Sequence, residues 1–377
     1  MRLMQLLSLS AVASWIVPTF ISVNPSPHGS TTARFADPND ATSKISIFYN
    51  VYLAPDRPHH GLSIVKEQLQ SLRQPTPNCT SINSTSIHAN DISSNSSSSL
   101  LSTSTIYYTQ IGHTATDMEP LCHPCTPLHK AATGSEQLTL QSMYEHCVAH
   151  KSHRVVYLHN KGSFTRSDLN NHLRRVLTLG VTSKECIERP IVPNRSDESY
   201  CNICSTQFSP FPIPHTVGNM FVADCDYIRE LIPPKDFALR KQQVHDRGYD
   251  DIHAGVIQAL PRHQRQAYRR AFRKESWSGL NRFAMEQWAY SHPNVQPCDV
   301  YRGPEFTYVD VDKKVSSKDL FLPKRQTFVN TRRVEKDSKD RHSWYSLPGR
   351  LYEWYHLYNA TPPSTSWVWK FYDQTKK

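Results

Sequence analysis

Residues 154–163 read RVVYLHNKGS, an apolar run that ends abruptly in His159, Asn160, Lys161 and Gly162. Residues 155–158 are apolar or aromatic and lie between a charged residue and a glycine-bearing turn, which predicts a buried parallel strand. Ligands of open α/β sheets bind just outside the carboxyl ends of such strands. An imidazole and an ammonium group at that edge favour an anionic ligand. The alternative interpretation is a solvated loop after a core strand.

Composition describes a globular and basic protein. The chain has 377 residues, of which 38% are hydrophobic and 10% aromatic, enough for one large domain or two modest ones. Its 43 Lys and Arg against 33 Asp and Glu give a net charge of +10. This balance favours acidic partners such as nucleotides, sulfated glycans or membrane surfaces, without choosing among them.

The amino terminus predicts entry into the secretory pathway. Residues 3–23 contain no charged side chain and are rich in Leu, Ala, Ile and Val, so residues 1–23 fit either a cleaved signal peptide or an uncleaved signal-anchor. The small-residue cleavage contexts are weak and Pro18 interrupts the run, so both alternatives stay open. The polar, Pro-bearing residues 24–43 fit a stem or linker, and no later segment is long and apolar enough to span a bilayer.

Two further features agree with that compartment. Nine cysteines predict disulfides with at least one thiol left over. The alternative is a four-thiolate zinc site built from Cys122 with Cys125 and Cys201 with Cys204, which the long gap between the pairs makes the weaker interpretation. The acceptor triplets for N-glycosylation are at Asn78, Asn83, Asn95, Asn194 and Asn359.

The first half of the chain alternates strands and helices. Strands are predicted at residues 44–53, 105–111 and 154–158, and helices at 61–73 and 135–150, with a cysteine-bearing loop between residues 111 and 135. The Ser/Asn-rich residues 75–105 predict a disordered, glycosylated surface insertion. Strand, helix, strand, helix, strand implies a parallel sheet with crossover helices.

The second half is less regular. Helices are predicted at residues 168–179, 226–231 and 280–289, and a strand at 218–223. The basic run at 262–274 reads as a solvated helix face, with a binding patch as the alternative. Residues 311–377 form an aromatic-rich extension that we expect to pack on the domain; the alternative is a platform on which sugar rings stack.

Five short motifs carry a resemblance to a known class of enzymes. They are IFYNV at 47–51, YLHNKGS at 157–163, LRR at 173–175, HTVGNMF at 215–221 and EQW at 286–288. Their order resembles the nucleotide-sugar glycosyltransferases of the GT-A type, and more specifically the rhamnan-synthesis F-like transferases and an uncharacterised group of eukaryotic secretory proteins. The resemblance covers residues 44–310 apart from the Ser-rich insertion.

The resemblance implies an α/β fold, GT-A-like and therefore Rossmann-like, with a mostly parallel sheet flanked by helices and a less regular C-terminal half. In GT-A enzymes the strand at this place usually ends in Asp-x-Asp, which holds a divalent ion under the donor diphosphate. Here His159, Lys161 and Gly162 take that place, which implies a metal-independent diphosphate site. The resemblance also places Gly218 and Asn219 on the acceptor side and makes Glu286 the catalytic base.

Each of these roles has an alternative. Asp224 with Asp226 is a rival metal site for a divalent cation such as Mn²⁺, as is Asp310 with Asp312, and less so Asp250 with Asp251 and His253. Gly218 and Asn219 fit an ordinary core strand preceded by a tight turn equally well, and Glu286 also fits a surface glutamate on a helix.

The resulting expectation is a glycosyltransferase of the Golgi or endoplasmic-reticulum lumen. It would use a nucleotide-sugar donor and a glycan or glycoprotein acceptor, with no cofactor favoured and no nucleic-acid partner. An uncleaved N-terminal segment would make it a single-pass type II membrane protein, and a cleaved one a secreted protein. The alternative function is a non-catalytic secreted carbohydrate-binding or surface-interaction protein on the same fold.

Overall fold

The computed structural model describes residues 45–73, 104–116, 118–122, 124–188, 201–209, 213–252, 275–300 and 347–360, all within the compact unit Pro38–Lys377. The strands in these ranges are β1 (Ile45–Leu53), β2 (Ser104–Gly112), β3 (Cys125–Ala131), β4 (Arg154–His159), β5 (Ile203–Ser205), β6 (Phe208–Ser209), β7 (His215–Thr216), β8 (Phe221–Asp224) and β9 (Pro297–Asp299). The helices are α1 (Pro58–Arg73), α2 (Glu119–Cys122), α3 (Gln137–Ala149), α4 (Asp168–Val181), α5 (Lys184–Ile187), α6 (Cys225–Ile228), α7 (Pro234–Ile252), α8 (Glu275–Ser278), α9 (Arg282–Trp288) and α10 (Leu347–Tyr358).

The core of the fold is a seven-stranded sheet in the order β3-β2-β1-β4-β8-β5-β9. Strands β1 to β4 pair in parallel, β8 is antiparallel to both β4 and β5, and β9 is parallel to β5. Six strands therefore run in one direction, and only β8 runs against them. The predicted mostly parallel α/β sheet flanked by helices is confirmed.

Strand β1 lies in the interior of the sheet, between β2 and β4, and both of its faces are apolar. Ile47, Tyr49 and Val51 point into a core shared with α1 and α4, while Phe48 points into a second core shared with α3. These four side chains are at most 1% exposed. A strand buried on both faces reads as a continuous apolar run, which is why the sequence identified it so directly.

Strand β3 was missed by the sequence prediction, which placed a loop there. It is the edge strand, it pairs with β2 alone, and its side chains are half-buried or exposed, so it lacks the apolar signature of a central strand. It also contains Pro127, beside a shift in register between Tyr108 and Thr109. Proline is tolerated on an edge strand because it removes a backbone donor that a central strand would need.

Disulfide formation is confirmed, and the zinc alternative is wrong. The described disulfides are Cys122–Cys125, Cys147–Cys225, Cys186–Cys204 and Cys201–Cys298. The two Cys-x-x-Cys motifs therefore hold no common metal: one closes on itself, and each cysteine of the other pairs with a distant partner. Such bonds persist in an oxidising compartment, as expected of a secreted or lumenal protein. Cys79 lies outside the described residues.

Several predicted segments also lie outside those residues. They are the N-terminal segment 1–23, the stem 24–43, most of the insertion 75–105, the basic run 262–274, and all N-glycosylation acceptors except Asn359. Asn359 is exposed directly after α10. Among the helices that can be described, none is long and apolar enough to cross a membrane.

The described part of the aromatic-rich extension is α10, which packs on the domain. Trp354 and Leu357 are buried in the second core, at 1% and 3% exposure. Beside them, Glu353 accepts hydrogen bonds from Lys241 on α7 and from Gln287 on α9. This buried charge pair joins three helices, so α10 is part of the body of the domain.

A second buried ion pair joins the first residue of β4 to the last residue of β8. Arg154 Nε donates to Asp224 Oδ1 at 3.0 Å, and both side chains are about 95% buried, at 5% and 4% exposure. Burial raises the pKa of Asp224 to about 6 although the charge of Arg154 lowers it, so the carboxyl group is ionised at neutral pH. Asp226, two residues on, forms an exposed pair with Arg229 on the same helix turn.

We expect Asp224→Ala to lower the free energy of unfolding by about 3–5 kcal/mol at pH 7.5, because it leaves the Arg154 charge buried without its partner. Asp226→Ala, which breaks a surface pair, should cost at most about 1 kcal/mol. Urea denaturation of both variants measures the difference. Equal losses, or stabilisation of the wild type by Mn²⁺ that either substitution removes, would contradict the structural role of Asp224.

Candidate active site

The candidate site lies at the carboxyl ends of β1 and β4. Strands β2 and β3 continue the sheet on one side of β1, whereas β4 adds to its other side. The connections therefore leave β1 and β4 toward opposite sides of the sheet, and the carboxyl ends of the strands at such a point are where open α/β sheets bind ligands; this place is called the crevice below. The Val217–Asn219 turn also lies at this edge, because the antiparallel strand β8 begins there and pairs Phe221 with Tyr157.

The end of β4 is fixed by Asn160. Its side-chain Oδ1 accepts from Tyr52 N and its Nδ2 donates to Tyr52 O, each at 2.8 Å, so the side chain continues the β1–β4 ladder beyond the last backbone pair. Ser163 N then donates to Asn160 O at 3.1 Å and closes the following turn. Asn160 is 2% exposed. The positions of His159 and Lys161 are set by this network.

His159 faces the Val217–Asn219 turn. Its Nε2 lies 2.5 Å from the carbonyl oxygen of Gly218, and because a carbonyl can only accept, Nε2 carries a hydrogen. Burial lowers the pKa of His159, although Glu136 and the bond to Gly218 act in the opposite direction. The ring is therefore neutral at pH 7, and its Nδ1 is a hydrogen-bond acceptor 3.9 Å from Glu136 Oε1. His159 is therefore at the site as a neutral side chain, and its Nε2 hydrogen is directed at the Gly218 carbonyl.

Gly218 and Asn219 form the turn itself rather than part of a strand. Gly218 has a φ of 72°, and a Cβ added there would lie 2.3 Å from Leu177 Cδ1 and 3.4 Å from Lys161 Cδ. Glycine is favoured because the left-handed backbone would strain any side chain here, and a Cβ would also displace the end of the Leu177 side chain. The contact also places the Lys161 side chain against this turn. Asn219, at φ 49°, donates from Nδ2 to Glu136 Oε2.

Glu136 is the site residue that sequence reasoning missed. It immediately precedes α3 and accepts hydrogen bonds from Asn219 and from the Tyr157 hydroxyl, the latter at 3.2 Å. Its side chain is 27% exposed, so it is reachable from solvent. A glutamate at the start of a helix is common because the helix dipole stabilises its negative charge, and nothing in the surrounding sequence distinguishes this one.

Glu286, on α9, completes the cluster. The pKa of Glu286 is raised to about 7: burial is the largest cause, the charge of Glu136 acts in the same direction, and the charges of Lys161 and Arg282 oppose it. This coupling places Glu286 within electrostatic reach of both Glu136 and Lys161. A carboxyl group with a pKa near neutrality is suited to take up and release a proton.

The structure thus brings together His159, Lys161, Gly218, Asn219 and Glu286, with Glu136 added. Gly162 is adjacent but has another role: its φ is 91°, and its carbonyl oxygen lies 3.3 Å from His60 Nε2 on the α1 side of the turn. Arg174 supports the same turn by donating to Lys161 O at 3.0 Å, and its charge is paired with Glu67 at 2.9 Å. Gly162 and Arg174 therefore shape the turn that presents Lys161.

The rival metal residues are elsewhere. Asp224 and Asp226 lie at the opposite end of the strands, beside the amino end of β4, where Asp224 pairs with Arg154. His253, Asp310 and Asp312 fall outside the described residues, as do the side chains of Asp250 and Asp251. Within the part of the chain that the structure describes, no group of three or more His, Cys, Asp or Glu side chains is arranged to hold a metal ion.

The raised pKa of Glu286 predicts a pH-dependent cost to stability. A folded-state pKa of about 7 against the ordinary 4.5 means that stability is full below pH 4.5 and falls as pH rises through 7, by about 3 kcal/mol in total. Glu286→Gln removes this titration, so we expect it to stabilise the protein by about 2 kcal/mol more at pH 8 than at pH 5.

Urea denaturation at the two pH values measures this difference, and Glu145→Gln on the exposed side of α3 is the matched control. The same effect of Glu286→Gln at pH 5 and pH 8 would show that Glu286 is not held in the raised-pKa environment.

Comparison with known proteins identifies a family but no function. A search of curated proteins and a search of solved structures each find no match. One family matches residues 48–371, which is most of the chain and includes every residue of the cluster. Its description is a domain of unknown function, DUF8361. The chain belongs to the DUF8361 family.

Proposed function

We propose that the protein is a glycosyltransferase that moves a sugar from a nucleotide-sugar donor to a glycan or glycoprotein acceptor in the secretory pathway. The main support for the proposal is that Lys161 lies within electrostatic reach of Glu286, a carboxyl group whose pKa is raised to about 7. The lysine is suited to bind an anionic donor, and the carboxyl group is suited to act as a general base. The mostly parallel sheet and the resemblance to GT-A enzymes support the same proposal.

In the proposed reaction, Glu286 and Lys161 have separate roles. The acceptor hydroxyl oxygen attacks the anomeric carbon of the donor sugar and forms the new glycosidic bond. The bond between that carbon and the diphosphate oxygen breaks, and its electron pair leaves with the diphosphate. Glu286 takes the proton of the attacking hydroxyl, and Lys161 stabilises the negative charge that builds up on the leaving group.

The remaining groups suit a polyhydroxylated substrate. Glu136 and the neutral His159 present acceptor atoms 3.9 Å apart, and sugar hydroxyls are donors that such atoms recognise. The two carboxylates are opposed by Lys161 and Arg282, so the cluster has no large excess of either charge. A metal-independent donor site is part of the proposal. Donor binding that requires a divalent cation such as Mn²⁺, arriving with the nucleotide, would replace this part of it.

The first test is donor binding. We expect calorimetry with UDP, GDP and CMP and their sugars to find one nucleotide class that binds the full chain, unchanged by a chelator. Lys161→Ala should weaken this binding about 10- to 100-fold, because a charge-assisted contact to phosphate is lost. Lys184→Ala, on α5 and paired with Glu188 at the surface, is the control. Binding that requires a divalent ion would overturn metal independence, and no binding by any class would favour the non-catalytic carbohydrate-binding alternative.

The second test is turnover. Glu286→Gln should lower transfer about 10²- to 10⁴-fold while leaving donor affinity intact, because it removes the base without removing the diphosphate contact. The wild-type kcat/KM should rise with pH and level off above about 7, since only the ionised carboxylate accepts the proton. A Glu286→Gln enzyme with full activity would remove Glu286 from the mechanism.

A further inference from the structure

An exposed aromatic side chain stands at the rim of the same crevice. Phe164 is 68% exposed, the most exposed large apolar side chain among the described residues. It lies three residues beyond Lys161 in the turn that follows β4, so its Cα is within about 11 Å of that lysine's Cα. Isolated exposed apolar residues are common on proteins, and exposure alone assigns no function to this one.

The position of Phe164 is fixed by its neighbours. Arg57 Nη2 donates to Phe164 O at 2.9 Å, and the ring lies 6.1 Å from the Tyr52 ring, tilted by 56°. Tyr52 is in turn held through its backbone by the two Asn160 hydrogen bonds. The backbone that carries the ring is therefore braced, which limits the conformational entropy that this turn loses on binding a ligand.

The polar groups around the ring are also suited to a ligand. The Tyr52 hydroxyl makes no hydrogen bond to any residue the structure describes, and Arg57 and Asp56 form an exposed pair with an Nε–Oδ2 distance of 3.6 Å. An apolar face beside a phenol, a guanidinium and a carboxylate matches a sugar, which has an apolar ring face and a girdle of hydroxyls. The adjacent opposite charges favour a neutral ligand over a strongly charged one.

We propose that Phe164, with Tyr52, is a stacking platform for a pyranose ring of the acceptor glycan. Small ligands bury 70–90% of their surface in pockets, whereas this ring stands open on the rim, where a longer saccharide extends away from the crevice. The assignment rests on the proposed transferase function, in which the platform holds the acceptor and Lys161 the donor.

The test is saturation-transfer NMR on the full chain with chitotriose, mannotriose and cellotriose as probes, in parallel with nucleotide calorimetry. At least one trisaccharide should bind, and Phe164→Ala should weaken that binding about tenfold while nucleotide affinity stays unchanged. Leu239→Ala removes another exposed apolar side chain, 64% exposed on α7, and should change neither. Both substitutions are at exposed sites, so thermal unfolding should be unaffected.

The outcomes separate the platform from the transferase. If no trisaccharide binds, or if binding is the same in Phe164→Ala, the platform is overturned while nucleotide binding keeps the transferase proposal intact. If trisaccharide binding depends on Phe164 but no nucleotide binds, the transferase proposal fails, and the platform stands as the site of a carbohydrate-binding protein.

Discussion

The hydrogen bonds between the Asn160 side chain and the backbone of Tyr52 are the interaction on which the rest of the site depends. They replace the next rung of the β1–β4 ladder, and so they decide where β4 stops and its turn begins. His159 lies before that point, Lys161 after it, and Phe164 at the far end of the turn. A side chain of another shape at 160 would leave two backbone groups of Tyr52 without these partners at the edge of a buried sheet. The crevice is thus built by a residue that need not touch any ligand.

The electrostatics of the crevice follow from burial as much as from charge. Burial by itself raises the pKa of Glu67, but hydrogen bonds from Arg175 and Arg174 lower it overall, so this carboxylate is committed to the two arginines, and Arg174 in turn holds the turn through Lys161 O. Lys161 stays half-buried beside Gly218, and Glu286 takes a raised pKa because burial outweighs its cationic neighbours. The pairs of Glu67 with its arginines therefore serve structure, whereas Lys161 and Glu286 at the crevice are less fully compensated by opposite charges.

The parts of the fold that the sequence predicted are those with strong periodic signals. Strands β1, β2 and β4 and helices α1, α3 and α4 combine apolar runs or stripes with clear breaks, and they appear within a few residues of their predicted bounds. Strand β3 is an edge strand with a proline, and β5 and β9 are three residues long, so none of them has a pattern that local sequence can reveal. The site shows the same division. The sequence could place residues of predicted elements at this strand end, whereas Glu136 joins them only through contacts with residues far along the chain. Burial keeps His159 neutral and the Gly218 carbonyl fixes its tautomer, and neither is visible in the local sequence.

Two disulfides at the second half of the sheet link residues that are synthesised far apart in time. Strand β9 pairs with β5, and the Cys201–Cys298 bond beside this pairing spans 97 positions. The Cys147–Cys225 bond, which spans 78, joins α3 to the first residue of α6, directly after β8. During synthesis from the N-terminus, β1 to β4 emerge early, but Cys201 has no native partner until residue 298 has left the ribosome. In the meantime Cys186 and Cys204 are close at hand in sequence, and a wrong pairing with Cys201 must be undone by thiol–disulfide exchange. Correct maturation of this domain therefore depends on a compartment that can reshuffle disulfides as well as form them.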